Sequence, residues 1–306
     1  MPGRLLSRLG RHAAAILAAG IFLGLIAQDL AHLLRPALPG AVAGLMILAY
    51  LRVRFVDLRS ELLQPRLLLL SAGMLLVCPV IMWWLCMLLG LPGVLTAAMV
   101  LGAALPTLFS SPSMVLLLGM DGALALALLM VTMLATPFSL ALVAWGLLDF
   151  NLGISPLGLM LRLAAFLAAC TLLGMLIRRL MGSERIHRNA GILDGISVLV
   201  LLTFAISIMD GIPAIFMANP ARIIGFTLAA FAMNLGLQIF SASACLALGR
   251  RRALTLGFLS GNRSLGLLLA ILPASADPGL ALFFILGQFP IYILPAALAP
   301  LYRRLL

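Results

Sequence analysis

Ten apolar runs follow one another along the chain, at about 13–28, 39–53, 67–89, 94–118, 122–148, 154–177, 191–209, 221–248, 253–273 and 279–301. About 20 apolar residues wind into a helix as long as a bilayer core is thick. The pattern therefore predicts an all-α membrane protein with ten transmembrane helices. The second run is short for a full span. The first run follows Arg4, Arg8 and Arg11. It is long for the apolar part of a leader, and no convincing small-residue cleavage site follows it, so it is expected to be a spanning helix.

Two runs are interrupted, and at matching places. The fourth contains Leu105-Pro106-Thr107-Leu108-Phe109-Ser110-Ser111-Pro112-Ser113, and the ninth contains Leu259-Ser260-Gly261-Asn262-Arg263-Ser264. Each is followed by a short apolar stretch, an Asp (Asp121, Asp277) and a long run with an internal proline (Pro137, Pro290). The chain thus reads as one transmembrane unit of two repeats, 13–148 and 154–304, with five spans each. An odd span number inverts the second repeat relative to the first. Inverted repeats with discontinuous helices at equivalent positions, here helices 4 and 9, are the pattern of secondary transporters.

Composition narrows the class further. Of 306 residues, 64% are hydrophobic and 9% charged, whereas soluble domains run at about 45–50% apolar and about 25% charged. The net charge of +11 has almost no soluble surface on which to meet nucleic acid, and no such partner is expected. All the basic residues are arginine, which reads as compositional bias. Sixteen of them fall at the N-terminus, at 52–66, 178–188 and 250–252, and at Arg303 and Arg304. Only Arg35 and Arg222 lie in the alternate loops. The positive-inside rule then places both termini in the cytoplasm, which suits the inner (plasma) membrane and an even span count. The four cysteines lie inside apolar runs without metal-ligand spacing, and read as packing residues.

The interruptions carry the candidate chemistry. A bilayer core does not solvate free backbone groups, so broken backbone there must be covered by protein or line a cavity. Pro106 and Pro112 remove helical donors, and Gly261 with polar neighbours invites a second break. The candidate binding residues are Ser110, Ser111, Pro112, Ser113, Ser260, Asn262, Arg263 and Ser264, with Asn234 and Gln288 in the eighth and tenth spans. Arg263 is the sharpest of them, because a charge at the bilayer centre costs at least about 2.5–3.5 kcal/mol. It reads either as an anion-binding or fixed cation, or as a tie to carbonyls of the opposite broken helix. Asp121 and Asp277 read as helix N-caps. Asn234 and Gln238, one turn apart, either bond to neighbouring helices or line the cavity. No catalytic triad, metal motif or phosphate-binding loop is present, and the three histidines (His12, His32, His187) are scattered. An enzyme is therefore not expected, and no cofactor or confident metal site is implied.

At the two interruptions the chain resembles the bile acid:sodium symporter family. Pro106 through Ser111, Met114 and on to Thr136-Pro137 looks like that family's first crossover and following span. Gly257 to Leu269 looks like the second crossover, with Gly266-Leu267 in register. Ala232–Asn234 resembles the eighth span, and Cys78-Pro79 matches a third-span proline. The resemblance implies a panel of spans 1, 2, 6 and 7, and a core of spans 3–5 and 8–10 with crossed helices at its centre. Substrate binds between the two, and rocking alternates access. The chain departs from the family where sodium is held. A Glu before the second crossover reads Leu259, a following Gln reads Arg263, and an Asn of the first crossover reads Pro112. Hydroxyls of span 5 read Ala125 and Leu129, and a third-span Gln reads Met74. Ser111 is the main remnant of a sodium-ligand set. These departures imply that Arg263 takes the place of the cation and that transport is independent of sodium.

The expected function is a secondary transporter moving a small organic anion across the lipid bilayer by alternating access. A proton-coupled or uncoupled exporter of the same fold is the alternative within transport, and a non-transporting membrane receptor or scaffold is the alternative from another class. The substrate, the direction of transport and any homodimer stay open at this stage.

Overall fold

The computed structural model describes residues 13–52, 64–148, 155–273 and 275–306. Arg4, Arg8, Arg11, His12, Arg54 and Arg59, which enter the charge argument or the histidine count, lie outside the described residues. The described chain is almost wholly helical. In order, its α-helices are α1 (Ala13–Ile26), α2 (Gln28–Leu34), α3 (Leu38–Arg52), α4 (Pro65–Ala72), α5 (Cys78–Leu88), α6 (Gly93–Ala103), α7 (Ser111–Leu117), α8 (Gly122–Leu147) and α9 (Pro156–Met181). They continue with α10 (Ser183–Arg188), α11 (Ala190–Ser207), α12 (Ile212–Ala218), α13 (Pro220–Ala244), α14 (Arg250–Gly261), α15 (Leu265–Ile271), α16 (Pro278–Leu286) and α17 (Gln288–Leu305). A π-helical segment, Gly73–Val77, joins α4 to α5.

Seven helical stretches among the described residues, some with a turn inside them, are long and apolar enough to cross a membrane: Gln28–Leu51, Pro65–Leu88, Gly122–Leu147, Pro156–Met181, Ala190–Ala218, Pro220–Ala244 and Pro278–Leu305. Large apolar side chains stay exposed along them, among them Leu88, Phe138, Trp145 and Leu172, as side chains facing lipid do. The remaining apolar runs are shorter. The first is the 14-residue α1. The fourth and ninth are each split into two short helices, α6 with α7 and α14 with α15. Eleven residues of α6 rise only about 16 Å at about 1.5 Å each, half the thickness of a bilayer core.

The chain divides into two compact units. The first comprises residues 1–53 and 165–223. Its centre is α11, against which α1, α2 and α3 pack. Glycines set that approach: a Cβ on Gly24 would lie 2.8 Å from the Ile206 carbonyl oxygen, so only glycine lets the two backbones come so near. Gln28 staples the end of α1 to the end of α11. Its amide donates to the carbonyls of Gly24 (2.6 Å) and Met209 (3.3 Å) and accepts from the Gly211 N–H (2.9 Å). Asp210 accepts from Arg35 at 2.7 Å and faces His32 Nδ1 at 3.4 Å.

The second unit comprises residues 54–164 and 224–306. Here α5 and α16 both flank α6, α8 runs beside α4 and α7, and α15 meets α16. The Asp121 side chain accepts from the Leu124 N–H at 3.1 Å and Asp277 from the Gly279 N–H at 2.7 Å, so both aspartates cap the helices that follow them. Helix α8 runs through Pro137 without a break, and the Thr132, Thr136 and Ser139 hydroxyls turn back onto carbonyls of that same helix. In the last span the interruption falls at Gly287, leaving Pro290 in the first turn of α17, where a missing N–H costs no helical bond.

Candidate functional site

The two interruptions meet inside the second unit. Helix α6 ends at Ala103 and helix α14 at Gly261. Beyond those ends the two segments lie side by side as a short antiparallel bridge between Thr107 and Arg263. The Leu108 N–H donates to the Asn262 carbonyl at 2.9 Å and the Ser264 N–H to the Pro106 carbonyl at 3.0 Å. Each broken helix thus satisfies backbone groups freed in the other, as a site shielded from water requires.

Arg263 sits at the centre of this crossing with no exposed surface. Its Nε donates to the Ser260 carbonyl at 2.7 Å, Nη1 to Leu105 at 2.9 Å and Nη2 to Met74 at 2.9 Å. The sequence explains why two of these oxygens are free. The Ser264 N–H, which would close a helical turn onto Ser260, bonds to Pro106 instead. In the π-helical segment bonds run from residue i to i−5, as Cys78 N–H to Gly73 shows, and the next donor to the Met74 carbonyl would be residue 79. That residue is Pro79, which has no N–H. The guanidinium takes the oxygen that the proline leaves.

A cation in this position is costly to bury, and three charge-assisted bonds at about 1.5–3 kcal/mol each offset that cost. Of the two readings open for Arg263 in the sequence, the tie to helix carbonyls is the one with direct contacts. Among the described residues no carboxylate pairs with it. Asp121 and Asp277 in the same unit are engaged as caps, and Asp121 also faces Arg252 at 3.8 Å.

Around the guanidinium the side-chain chemistry is incomplete. Thr107, Ser111, Ser260 and Asn262 are all buried. The Oγ1 of Thr107, the Oγ of Ser111 and Ser260, and the Oδ1 of Asn262 have no hydrogen-bond partner among the described residues. Two come from each interruption. A buried polar atom left unpaired costs about 1–3 kcal/mol, so these four groups call for a partner beyond the described side chains and backbone. The three hydroxyls can donate to an anion. Asn262 Oδ1 only accepts, its amide nitrogen donating to the Phe258 carbonyl at 2.9 Å.

The other candidates separate from this cluster. Ser264 is buried and enters the crossing through its backbone. Ser110 and Ser113 are exposed and Pro112 is half-buried. Asn234 and Gln238 are buried on α13, where the Gln238 amide donates to Asn234 Oδ1 and the Tyr302 hydroxyl to Gln238 Oε1. That chain reaches the end of α14, because a Cβ on Gly261 would lie 2.5 Å from the Asn234 carbonyl oxygen. Gln288 is buried and donates to Phe284 in the preceding turn, at 3.1 Å. Sequence reasoning did not single out Thr107, Tyr302 or the Met74 carbonyl. Thr107 stands inside the polar run 106–113, and Pro79 is the signal for the carbonyl.

The oxygens present at this crossing are neutral, Leu259, Ala125, Leu129 and Met74 are buried without side-chain oxygens, and a fixed cation already occupies the centre. Two like unit charges about 4 Å apart repel by about 4 kcal/mol at an effective dielectric of about 20.

Neither the family models nor the curated proteins with which the chain was compared match it.

Proposed function

We propose that this chain is a secondary transporter that moves a small organic anion across the membrane by alternating access, without sodium. The observation that carries the reading is the pairing of two broken helices, backbone to backbone, around a buried guanidinium and four unpaired side-chain oxygens. Interrupted helices at equivalent places in inverted repeats are how many carriers build a binding site within the bilayer.

Ten spans follow in this reading when the seven long stretches are joined by α1 and by the two split helices counted as one span each. The first repeat then runs inverted to the second, and arginine bias sets both termini on the cytoplasmic side of the inner membrane. The division of the chain into 1–53 with 165–223 and 54–164 with 224–306 supports a panel and a core of the kind found in bile acid:sodium symporters, which we propose as the related family.

The chemistry follows from the crossing. An anion arriving there meets a positive potential that is weakly screened, together with the hydroxyls of Thr107, Ser111 and Ser260 as donors. Arg263 supplies that potential permanently, since a guanidinium does not lose its proton in proteins. It stands where a sodium-coupled relative would recruit an ion from solution, so no ion is needed to complete the site.

Purified protein in liposomes should accumulate one or more radiolabelled anions from a panel of mono- and dicarboxylates, equally in sodium and in choline buffer. Uptake abolished by choline would overturn sodium independence. Ligand-induced thermal stabilisation with no flux for any member of the panel would replace the carrier with a receptor.

A further inference from the structure

We propose that this transporter works as an anion exchanger, returning across the membrane rapidly only when its site is loaded. The inference rests on the carrier reading above and adds the mode of turnover. Its ground is the charge state of the crossing. Arg263 is fully buried, is held on three sides by main-chain carbonyls from Met74, Leu105 and Ser260, and has no carboxylate partner among the described residues. The two capping aspartates of the unit, Asp121 and Asp277, are committed at helix starts. The cation therefore cannot leave with a substrate, cannot lose its proton and has no counter-charge among the described carboxylates of its own unit.

Alternating access requires a state in which the site is closed to both sides. In that state an empty site holds a positive charge met by carbonyl dipoles but by no counter-ion, a costly arrangement for an ion kept from water. The four unpaired oxygens beside it add groups that also lack partners once water is excluded. A bound monoanion removes both defects, because it cancels the charge and accepts from the hydroxyls. The loaded protein then passes through the closed state as a neutral, hydrogen-bonded unit. The empty protein does not. Net movement of anion in one direction needs the empty protein to return, whereas exchange of one anion for another never does.

The test uses the full chain in liposomes with radiolabelled acetate, lactate and succinate as probes. Efflux is measured into buffer without anion and into buffer holding the same unlabelled anion. The expected result is efflux at least ten-fold faster with anion outside. In Arg263→Gln, which has no fixed charge to compensate, the two rates should converge. Equal efflux in both buffers for the wild type would overturn the exchange mode while leaving the carrier intact. No flux of any probe in either buffer would overturn both. If Arg263→Gln does not fold, the wild-type comparison decides alone.

Discussion

Replacing Arg263 by methionine tests the energetic account of the crossing. Methionine fills much of the same volume and removes the charge and all three donors. The carbonyls of Ser260, Leu105 and Met74, now bonded at 2.7, 2.9 and 2.9 Å, would each lose a partner. Three such oxygens cost about 1–3 kcal/mol each, so the gross loss is about 3–9 kcal/mol. Removing a buried charge returns several kcal/mol of desolvation. The expected net destabilisation is about 2–4 kcal/mol, the difference between those two quantities. For a chain of this size that corresponds to a fall in Tm of roughly 4–16 °C, at about 2–4 °C per kcal/mol. The assay is tryptophan fluorescence of detergent-purified protein, wild type and variant scanned at one rate because such unfolding is often irreversible. Arg263→Lys, which keeps the charge but not the fork that reaches three carbonyls, should fall between them. An unchanged or raised Tm for the methionine variant would refute the claim that the guanidinium holds the crossing together.

Further predictions follow from single contacts. Pro79→Ala restores an N–H that competes for the Met74 carbonyl, so it should fail to raise Tm even though proline inside a helix ordinarily costs about 3 kcal/mol; a rise of several degrees would show that the freed oxygen is not needed. Gly261→Ala would press a methyl group within 2.5 Å of the Asn234 carbonyl oxygen and should destabilise by about 1–3 kcal/mol, read as a lowered Tm. Tyr302→Phe removes the donor to Gln238 Oε1 and should cost about 1–3 kcal/mol by the same assay. Cys245 is half-buried, outside the long apolar stretches, while Cys78, Cys86 and Cys170 are buried. Burial and the neighbouring Cys78 hold the Cys245 thiol above its ordinary pKa, so less thiolate exists near neutral pH. Maleimide should label Cys245 more slowly than a free thiol, and faster as pH is raised.

Much of the fold was legible because lipid exposure is written in composition: long apolar runs gave the long helices, and proline, glycine and serine marked both breaks. The join between the first two runs was not legible. Residues 28–38 read as a loop because they carry Asp29, His32, Arg35 and Pro36. The structure nevertheless winds Gln28–Leu34 and Leu38–Arg52 with a 3-10 turn between them, since Pro36 and Pro39 fall in first-turn positions that need no donor. The site was legible in its side chains and hidden in its backbone. Arg263 and Asn262 announce themselves as polar letters in an apolar run. A carbonyl carries no letter, so Met74, read as a position without an oxygen to offer, supplies one of the three that hold the guanidinium.

The socket of Arg263 is built from main-chain oxygens, and main chain is indifferent to the identity of the residue that bears it. Distant proteins can therefore conserve this arrangement while sharing few of the amino acids that line it, provided a proline withholds a donor at the start of α5 and an arginine follows the end of α14. A pair of spaced letters, and not a stretch of similarity, is the trace by which kin would be recognised.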